Sequence, residues 1–307
     1  MVFISSFKRS TTVRQQARRT FGVRLAFFLV LGRVVATLMA QDSAQLDHQK
    51  TDSLSSNAST PLAGLRDPAK REIAMQLVSA AENSSLDWKA QYAYIEYNVE
   101  GNEKENRGYT GGVVGFTSKT HDMLELVDYY SKIAPGNILA AYLPALEKVD
   151  GTSSTAGLGK PFERDWKSAG KDLKFREAQD HERDRTYFDP AVDQAQRDGL
   201  RALGQFLYYD AIVMHGPGEE PTSFGGIRAT AMKKARTPVQ GGDETLYLNA
   251  FLDARKAAML TEQGHTDTSR VDTMQRTFLR AGNLDLNLPL HFSTYGDPYT
   301  INAVKQH

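Results

Sequence analysis

The chain has 307 residues, of which 40% are hydrophobic and none is cysteine. This composition supports a sizeable core in one large domain or two modest ones, and it excludes disorder throughout, a collagen-like fibre and a disulfide-stapled scaffold. The 37 Lys and Arg balance the 37 Asp and Glu, but the first 40 residues hold seven of the bases and no acid. Without that segment 30 bases face 37 acids, a net charge of −7, which disfavours nucleic acid as a partner.

Residues 1–40 carry the features of an export signal. The pair Arg18-Arg19 precedes apolar runs at 25–31 and 34–40, with Arg33 between them. These runs are too short and broken to span ~30 Å of hydrocarbon, which takes about 20 apolar residues. We therefore predict a cleaved signal peptide that ends near Ala40, suits the twin-arginine route and delivers a secreted protein with no remaining membrane anchor.

Residues 41–62 are rich in Ser, Thr, Gln and Asp, which predicts a disordered linker or pro-segment. One folded domain is expected over residues 63–307. It begins with a helix that has Asp67 as N-cap and Pro68 as first residue and runs to about Asn83.

Apolar spacing predicts that most of the remaining domain is helical. The strongest strand candidate lies at 108–116, among glycines and β-branched residues, and the tail at 284–299 is predicted to be irregular because of its prolines and glycine. The result is a mainly helical α+β fold with a small β-sheet. Helices are expected at 122–130, 143–148, 162–184, 190–214, 223–235, 243–263 and 268–281.

Three charged residues fall where the helical pattern calls for apolar ones. Glu82 shares a helix side with Met75 and Val78, and Asp210 and Arg255 lie within the apolar stripes of their own helices. Because an unpaired buried charge costs several kcal/mol, we expect these groups to meet, with Arg270 as a fourth member. A purely structural ion-pair network is the alternative. Chemistry is favoured by the position of Glu82 at a helix end, where its side chain can reach a cleft.

An acidic segment follows the first helix. Residues 94–107 carry four carboxylates, Glu96, Glu100, Glu103 and Glu105, just ahead of the predicted strand. An acidic loop of this kind is either a solvated connection or a source of catalytic and binding carboxylates.

Several motifs in this chain resemble the actinomycete-type chitosanases of glycoside hydrolase family 46. The resemblance runs in order from about Leu65 to Tyr299, which is nearly the whole folded domain. It is carried by Ser79-Ala80-Ala81-Glu82-Asn83-Ser84-Ser85-Leu86-Asp87-Trp88, Arg107-Gly108-Tyr109-Thr110-Gly111-Gly112, Asp122-Met123-Leu124-Glu125-Leu126, Asp180-His181-Glu182-Arg183-Asp184-Arg185, Gly204-Gln205-Phe206 and Pro221-Thr222-Ser223-Phe224-Gly225-Gly226.

The resemblance implies a two-lobed, lysozyme-like fold with a substrate cleft between the lobes. It implies endo-hydrolysis of β-1,4 bonds in chitosan with inversion of configuration, and therefore a general acid and a general base. Glu82 matches the family's proton donor and Thr110 the threonine that helps hold the attacking water. Asp210, Arg255 and Arg270 match a buried charge relay around that donor, which agrees with the helical pattern.

The base is the point where this chain departs from the family. The family places an aspartate two residues before the arginine of the Arg-Gly-Tyr-Thr motif, and here that position is Glu105. Glu105 is preferred because its five-residue separation from Thr110 is preserved. Glu100 is the alternative base, since Glu100-Gly101 mimics the family's Asp-Gly pair in a loop that is about five residues longer, and Glu103 is the third candidate.

The resemblance also points to substrate contacts at Asp122, Arg107, Glu262 and His265, and to further contacts at Glu96 and Tyr187. Acidic side chains suit a polymer whose deacetylated sugars carry ammonium groups. Chitosan is thus the expected partner of a monomeric protein, and no cofactor, metal or nucleotide site is indicated by the motifs. His215 is interpreted as a helix cap or a lining of the cleft, and Trp88 and Trp166 as core residues.

Two other functions are compatible with the sequence. A muramidase of the same fold class would act on an anionic cell wall and would normally be basic, which the net charge of −7 disfavours. A catalytically impaired chitosan-binding protein would follow if the altered base loop placed its carboxylate wrongly.

Overall fold

The computed structural model describes residues 64–99, 101, 106–261 and 267–304. The predicted signal peptide and linker therefore lie outside the described residues.

The first helix, α1 (Pro68–Asn83), begins and ends as its sequence predicts. The Asp67 side chain accepts hydrogen bonds from the backbone N–H groups of Ala69 and Lys70, which satisfies donors that a helix start leaves open. Ser84 ends the helix in the left-handed region, at φ 51°. Ile73, Leu77 and Ala81 form its buried face. Glu82, in the last turn of α1, is also buried.

A three-stranded antiparallel sheet follows, with order β1 (Ile95–Tyr97), β2 (Tyr109–Gly111) and β3 (Phe116–Thr117). The single strand predicted at 108–116 is wrong, because Gly112 and Gly115 adopt φ values of 78° and 73° and turn the chain back on itself. β1 arises from what was predicted as an acidic loop. Its register places Glu96 opposite Thr110.

Four helices pack with this sheet into one lobe around the fully buried Trp166. The single helix predicted at 162–184 is broken at Gly170, which lies so close to Ala93 that a Cβ there would be 2.6 Å from the Ala93 Cα. Asp172 then caps the next helix by accepting from the Lys174 N–H. The four helices are α2 (Asp122–Ile133), α3 (Leu143–Val149), α4 (Gly159–Ala169) and α5 (Leu173–Arg183).

The chain leaves this lobe through a π-helical turn, Asp184–Phe188, that runs directly into α6 (Asp189–Arg197). The helix predicted at 190–214 is interrupted after α6 because Gly199 adopts φ 78°. The second lobe is built on α7 (Ala202–His215), which is buried over nearly all its length. Around it lie α8 (Phe224–Met232), α9 (Glu244–Thr261), a π-helical segment (Arg270–Gln275) and α10 (Arg276–Arg280).

The C-terminal tail is a β-hairpin rather than the predicted irregular segment. β4 (Leu290–Thr294) pairs antiparallel with β5 (Asp297–Ile301), joined through Tyr295 and Gly296, both at positive φ. Leu290, Phe292 and Thr294 alternate with more exposed residues, and this two-residue period is the signal that the proline and glycine content obscured.

The expected fold class is confirmed: a mainly helical molecule with a small sheet, consistent with the two-lobed lysozyme-like fold. Short 3₁₀ helices at Gly64–Arg66, Trp88–Ala93, Ala140–Tyr142 and Pro238–Gln240 complete it. Across the described part of the chain, no helix combines the length and the apolar character that crossing a membrane requires.

Candidate active site

The four predicted buried charges form one connected cluster between α1, α7, α9 and the π-helical segment. Arg270 donates from Nη1 to Glu82 Oε1 at 2.5 Å and from Nη2 to Asp210 Oδ1 at 2.6 Å. Arg255 donates from Nη1 to Asp210 Oδ2, also at 2.6 Å. Asp210 and Arg255 are fully buried, and Glu82 is 8% exposed. The helical pattern thus predicted both the burial and the pairing.

Two neutral side chains complete this cluster and were not predicted as members. Gln275 donates to Asp210 Oδ2 at 2.6 Å and accepts from Arg255 Nη1 at 3.1 Å. Arg255 Nε donates to His215 Nε2 at 3.3 Å, which requires that nitrogen to be unprotonated. His215 therefore lies in the buried cluster, at the C-terminal end of α7. An isolated Gln or His in a helical stripe gives no sequence signal that separates it from an ordinary core position.

Within the cluster, opposite charges stabilise one another against the cost of burial. Burial opposes ionisation of Asp210, yet the guanidinium groups of Arg270 and Arg255 keep its pKa below the ordinary value. Burial lowers the pKa of Arg255 despite the pull of Asp210. For Arg270 the two carboxylates Asp210 and Glu82 outweigh burial, and its pKa is raised. Glu82 thus faces a cation whose charge is already shared with Asp210.

Glu82 and Thr110 line the same small cavity, of about 40 Å³, together with Asn83, Gln91, Tyr94, Val99 and Gly112. Thr110 is fully buried, and its Oγ1 has no hydrogen-bond partner within the described residues. A water molecule needs roughly 10–15 Å³ of such space and a few polar partners. The cavity therefore has room for water between a carboxyl group and an unsatisfied hydroxyl.

The three candidate bases, Glu100, Glu103 and Glu105, lie outside the described residues. What the structure describes is the frame of their loop. Asn98 N–H donates to the Gly108 carbonyl at 2.9 Å, and the buried Asn106 donates to Tyr97 Oη at 2.9 Å. The loop is therefore the connection between β1 and β2, and β2 carries Thr110.

A second set of polar residues surrounds Asp122 at the start of α2. Its Oδ1 accepts from the Thr117 N–H and the Thr120 hydroxyl at 2.9 and 2.8 Å, while its Oδ2 is buried without a partner in the described part of the chain. Burial raises the pKa of Asp122 to about 7, against these hydrogen bonds and the charge of Arg107. Tyr187, which is buried, interacts electrostatically with both Asp122 and Arg107. These three predicted substrate residues therefore lie together.

The remaining predicted substrate contacts are Glu96, Glu262 and His265. Glu96 is exposed on β1, where it accepts from Tyr94 Oη at 3.0 Å. Glu262 and His265 lie outside the described residues. Trp166 is fully buried as predicted, whereas Trp88 is half-buried and donates from Nε1 to Glu72 at 3.0 Å. Neither the Glu72 contact nor the cavity residue Gln91 was anticipated.

Comparisons with known proteins show the family of this chain. The profile of Glycosyl hydrolase family 46 matches residues 76–290. A chitosanase from Streptomyces sp. (strain N174) is 65% identical over 280 residues, which are 91% of this chain and 97% of that protein. A chitosanase from Nocardioides sp. (strain N106) is 63% identical over 240 residues, covering 78% and 84% of the two chains.

Solved structures give the same result. The co-crystal structure of chitosanase OU01 with substrate matches with a TM-score of 0.72 at 57% identity and covers 78% of this chain and 99% of that one. The protein is a glycoside hydrolase. As the motifs predicted, the chain belongs to glycosyl hydrolase family 46.

Proposed function

We propose that this glycoside hydrolase is an endo-acting chitosanase that cleaves β-1,4 bonds in chitosan with inversion of configuration. The observation that carries the proposal is the shared cavity of Glu82 and Thr110, with Glu82 paired to Arg270 behind it. The relatives described as chitosanases support the substrate.

Glu82 is the general acid of the proposed reaction. It donates its proton to the glycosidic oxygen as that bond breaks, so the sugar leaves as an alcohol. Glu82 is nearly buried, and Arg270 donates to its Oε1, so this guanidinium is placed to stabilise the carboxylate that remains after proton transfer. Asp210 and Arg255 support this role by fixing the position and the shared charge of Arg270.

A carboxylate from the β1–β2 connection acts as general base on a water molecule held by Thr110. Inverting enzymes keep the two carboxyl groups roughly 6.5–9.5 Å apart so that water fits between base and sugar. The base removes one proton as the water oxygen attacks the anomeric carbon from the face opposite the leaving group. Glu105 is the proposed base, Glu100 the alternative and Glu103 the third candidate.

Substrate binding in this proposal relies on acidic side chains. Asp122, with Arg107 and Tyr187 beside it, provides a buried carboxyl whose free oxygen can accept from a sugar ammonium group. Because its pKa is about 7 in the free protein, a bound ammonium would favour the ionised form. Glu96, Glu262 and His265 are proposed as further contacts.

In this proposal the protein is a monomer. Its N-terminal 40 residues direct its export, and it meets chitosan outside the cell. Export is supported by the basic and apolar runs of that segment. A catalytically impaired binding protein gains no support from relatives described as chitosanases.

The test compares polymer breakdown on two substrates. Purified protein should release new reducing ends from chitosan and lower its viscosity early, as internal cleavage requires, and the products should be of inverted configuration by NMR. Peptidoglycan is the control and should yield none. Product from peptidoglycan alone would identify a muramidase, and tight chitosan binding without new reducing ends at any pH would identify an impaired binding protein.

A further inference from the structure

The tip of the C-terminal hairpin contacts both sides of the Glu82–Arg270 pair. Thr294, which is fully buried, donates from Oγ1 to the carbonyl of Ala80 at 3.3 Å, two residues before Glu82 in the last turns of α1. Tyr295 donates its backbone N–H to Ser269 Oγ at 2.8 Å, one residue before Arg270. Neighbouring residues of one turn thus hold the two segments that carry the pair.

A third hydrogen bond fixes the hairpin to the π-helical segment. Thr273 donates from Oγ1 to the Ser293 carbonyl at 2.6 Å. Consecutive residues of β4 and its turn, Ser293 to Tyr295, therefore each make a hydrogen bond outside the hairpin. The tip cannot shift along its strand without breaking at least one of them.

Tyr295 lies in the tight turn at the tip of the hairpin. Tyr295 adopts φ 52° and Gly296 φ 84°, the pair of positive values that a tight two-residue hairpin requires. A bulky residue in that region is uncommon and is kept only where its surroundings fix it. Burial raises the pKa of the Tyr295 hydroxyl, with smaller effects from the charges of Arg270, Glu82, Asp267 and Asp210. The Tyr295 hydroxyl is thus buried near the charges of the cluster.

Nothing in the local chain joins Glu82 to Arg270, since they are 188 positions apart. Their contact depends on how α1 and the π-helical segment approach one another. A displacement of 1 Å in a reacting group can cost about 10²-fold in rate. A brace that touches both segments next to the pair therefore affects the geometry of the proposed proton donor.

We propose that Thr294 and Tyr295 are positioning residues, and that the hairpin tip braces α1 against the π-helical segment so that Glu82 keeps its contact with Arg270. This inference rests on the proposed role of Glu82 as general acid.

The test replaces the Thr294 hydroxyl and keeps the side-chain shape. Thr294→Val should lower kcat on chitosan about 10-fold or more with KM nearly unchanged, because the donor is misplaced after substrate has bound. It should also move the alkaline limb of the pH–rate profile, which reports the essential acid. Thr294→Ser, which restores the hydroxyl, should recover most of the activity. Ser269→Ala, at a half-buried position, removes the acceptor of the Tyr295 N–H and should change kcat in the same direction.

The control is Thr300→Val, on β5 of the same hairpin, which removes a surface hydroxyl that contacts His291 at 3.1 Å. Its kcat and pH profile should match the parent. Parental kcat and pH profile in both Thr294→Val and Ser269→Ala, whatever their melting temperatures, would overturn the positioning role while leaving the proposed function intact. A parent inactive on chitosan would overturn the proposed function, and the positioning role with it.

Discussion

Arg270 contacts two carboxylates that differ in what they do. Asp210 is fully buried and bound by four side-chain hydrogen-bonding groups from Arg255, Arg270 and Gln275, so it serves as a fixed negative charge. Among the described residues, Glu82 forms its ion pair with Arg270 alone, and it faces a cavity. One guanidinium therefore connects a structural carboxylate to the proposed proton donor.

At this scale the sequence predicts charges better than neutral polar groups. Glu82, Asp210 and Arg255 interrupt apolar stripes, and the cost of burying them unpaired requires them to meet. Gln275 and His215 bring no comparable cost, so their membership depends on how the helices pack. The choice among Glu100, Glu103 and Glu105 also escapes prediction, because a loop has no periodicity to fix which side chain faces Thr110.

Alanine replacement distinguishes the three candidate bases. Glu105→Ala should reduce kcat on chitosan by roughly 10²- to 10⁴-fold, the usual contribution of a general base, whereas Glu100→Ala and Glu103→Ala should reduce it far less. Steady-state kinetics with a folding check by circular dichroism provides the measurement.

Glu147→Ala, at an exposed position on α3, is the matched control and should behave like the parent. A large loss in Glu100→Ala alone would transfer the role to Glu100. Near-parental rates in all three loop variants would remove the loop from the mechanism.

At the scale of elements, helix starts were predicted well and interruptions were not. Asp67-Pro68 fixed the start of α1 because capping chemistry is local. The breaks at Gly170 and Gly199 depend on distant partners: the close approach of Ala93 at the first and the neighbouring residues Pro238 and Val239 at the second. The C-terminal hairpin was missed because the prolines and glycine of the tail obscured the two-residue alternation of β4, the strand that packs on the π-helical segment.

Arg255 connects α9 to α7 and to the π-helical segment through Asp210 and Gln275. Arg255→Ala should destabilise the protein by about 3–5 kcal/mol, because it leaves the buried Asp210 without one of its two cations. Urea unfolding followed by tryptophan fluorescence measures this free energy. Arg280→Ala, at the exposed end of α10, is the control and should change stability little. An unchanged free energy of unfolding in Arg255→Ala would show that the buried pair does not join these elements.

In the whole molecule, Glu82 and Thr110 come from different structural units. Glu82 comes from the end of α1, where Arg270 of the second lobe contacts its side chain and the C-terminal hairpin contacts Ala80. Thr110 and the base loop come from the sheet. The fold class was predictable from helical periodicity and motif order, whereas the meeting of these units at one cavity depends on long-range packing.

The net charge of the chain without its first 40 residues acts at the same scale. A value of −7 favours a cationic polymer over an anionic cell wall. Because this attraction is screened by salt, chitosan binding should depend on ionic strength more than the chemical step does.

Glu82→Gln tests the central claim most directly, because it keeps the size and the hydrogen-bonding oxygen of the side chain and removes only the transferable proton. The variant should melt close to the parent and still bind chitosan in a sedimentation assay, while its release of reducing ends should fall by at least about 10²- to 10⁴-fold. Hydrolysis at the parental rate by correctly folded Glu82→Gln would contradict the account.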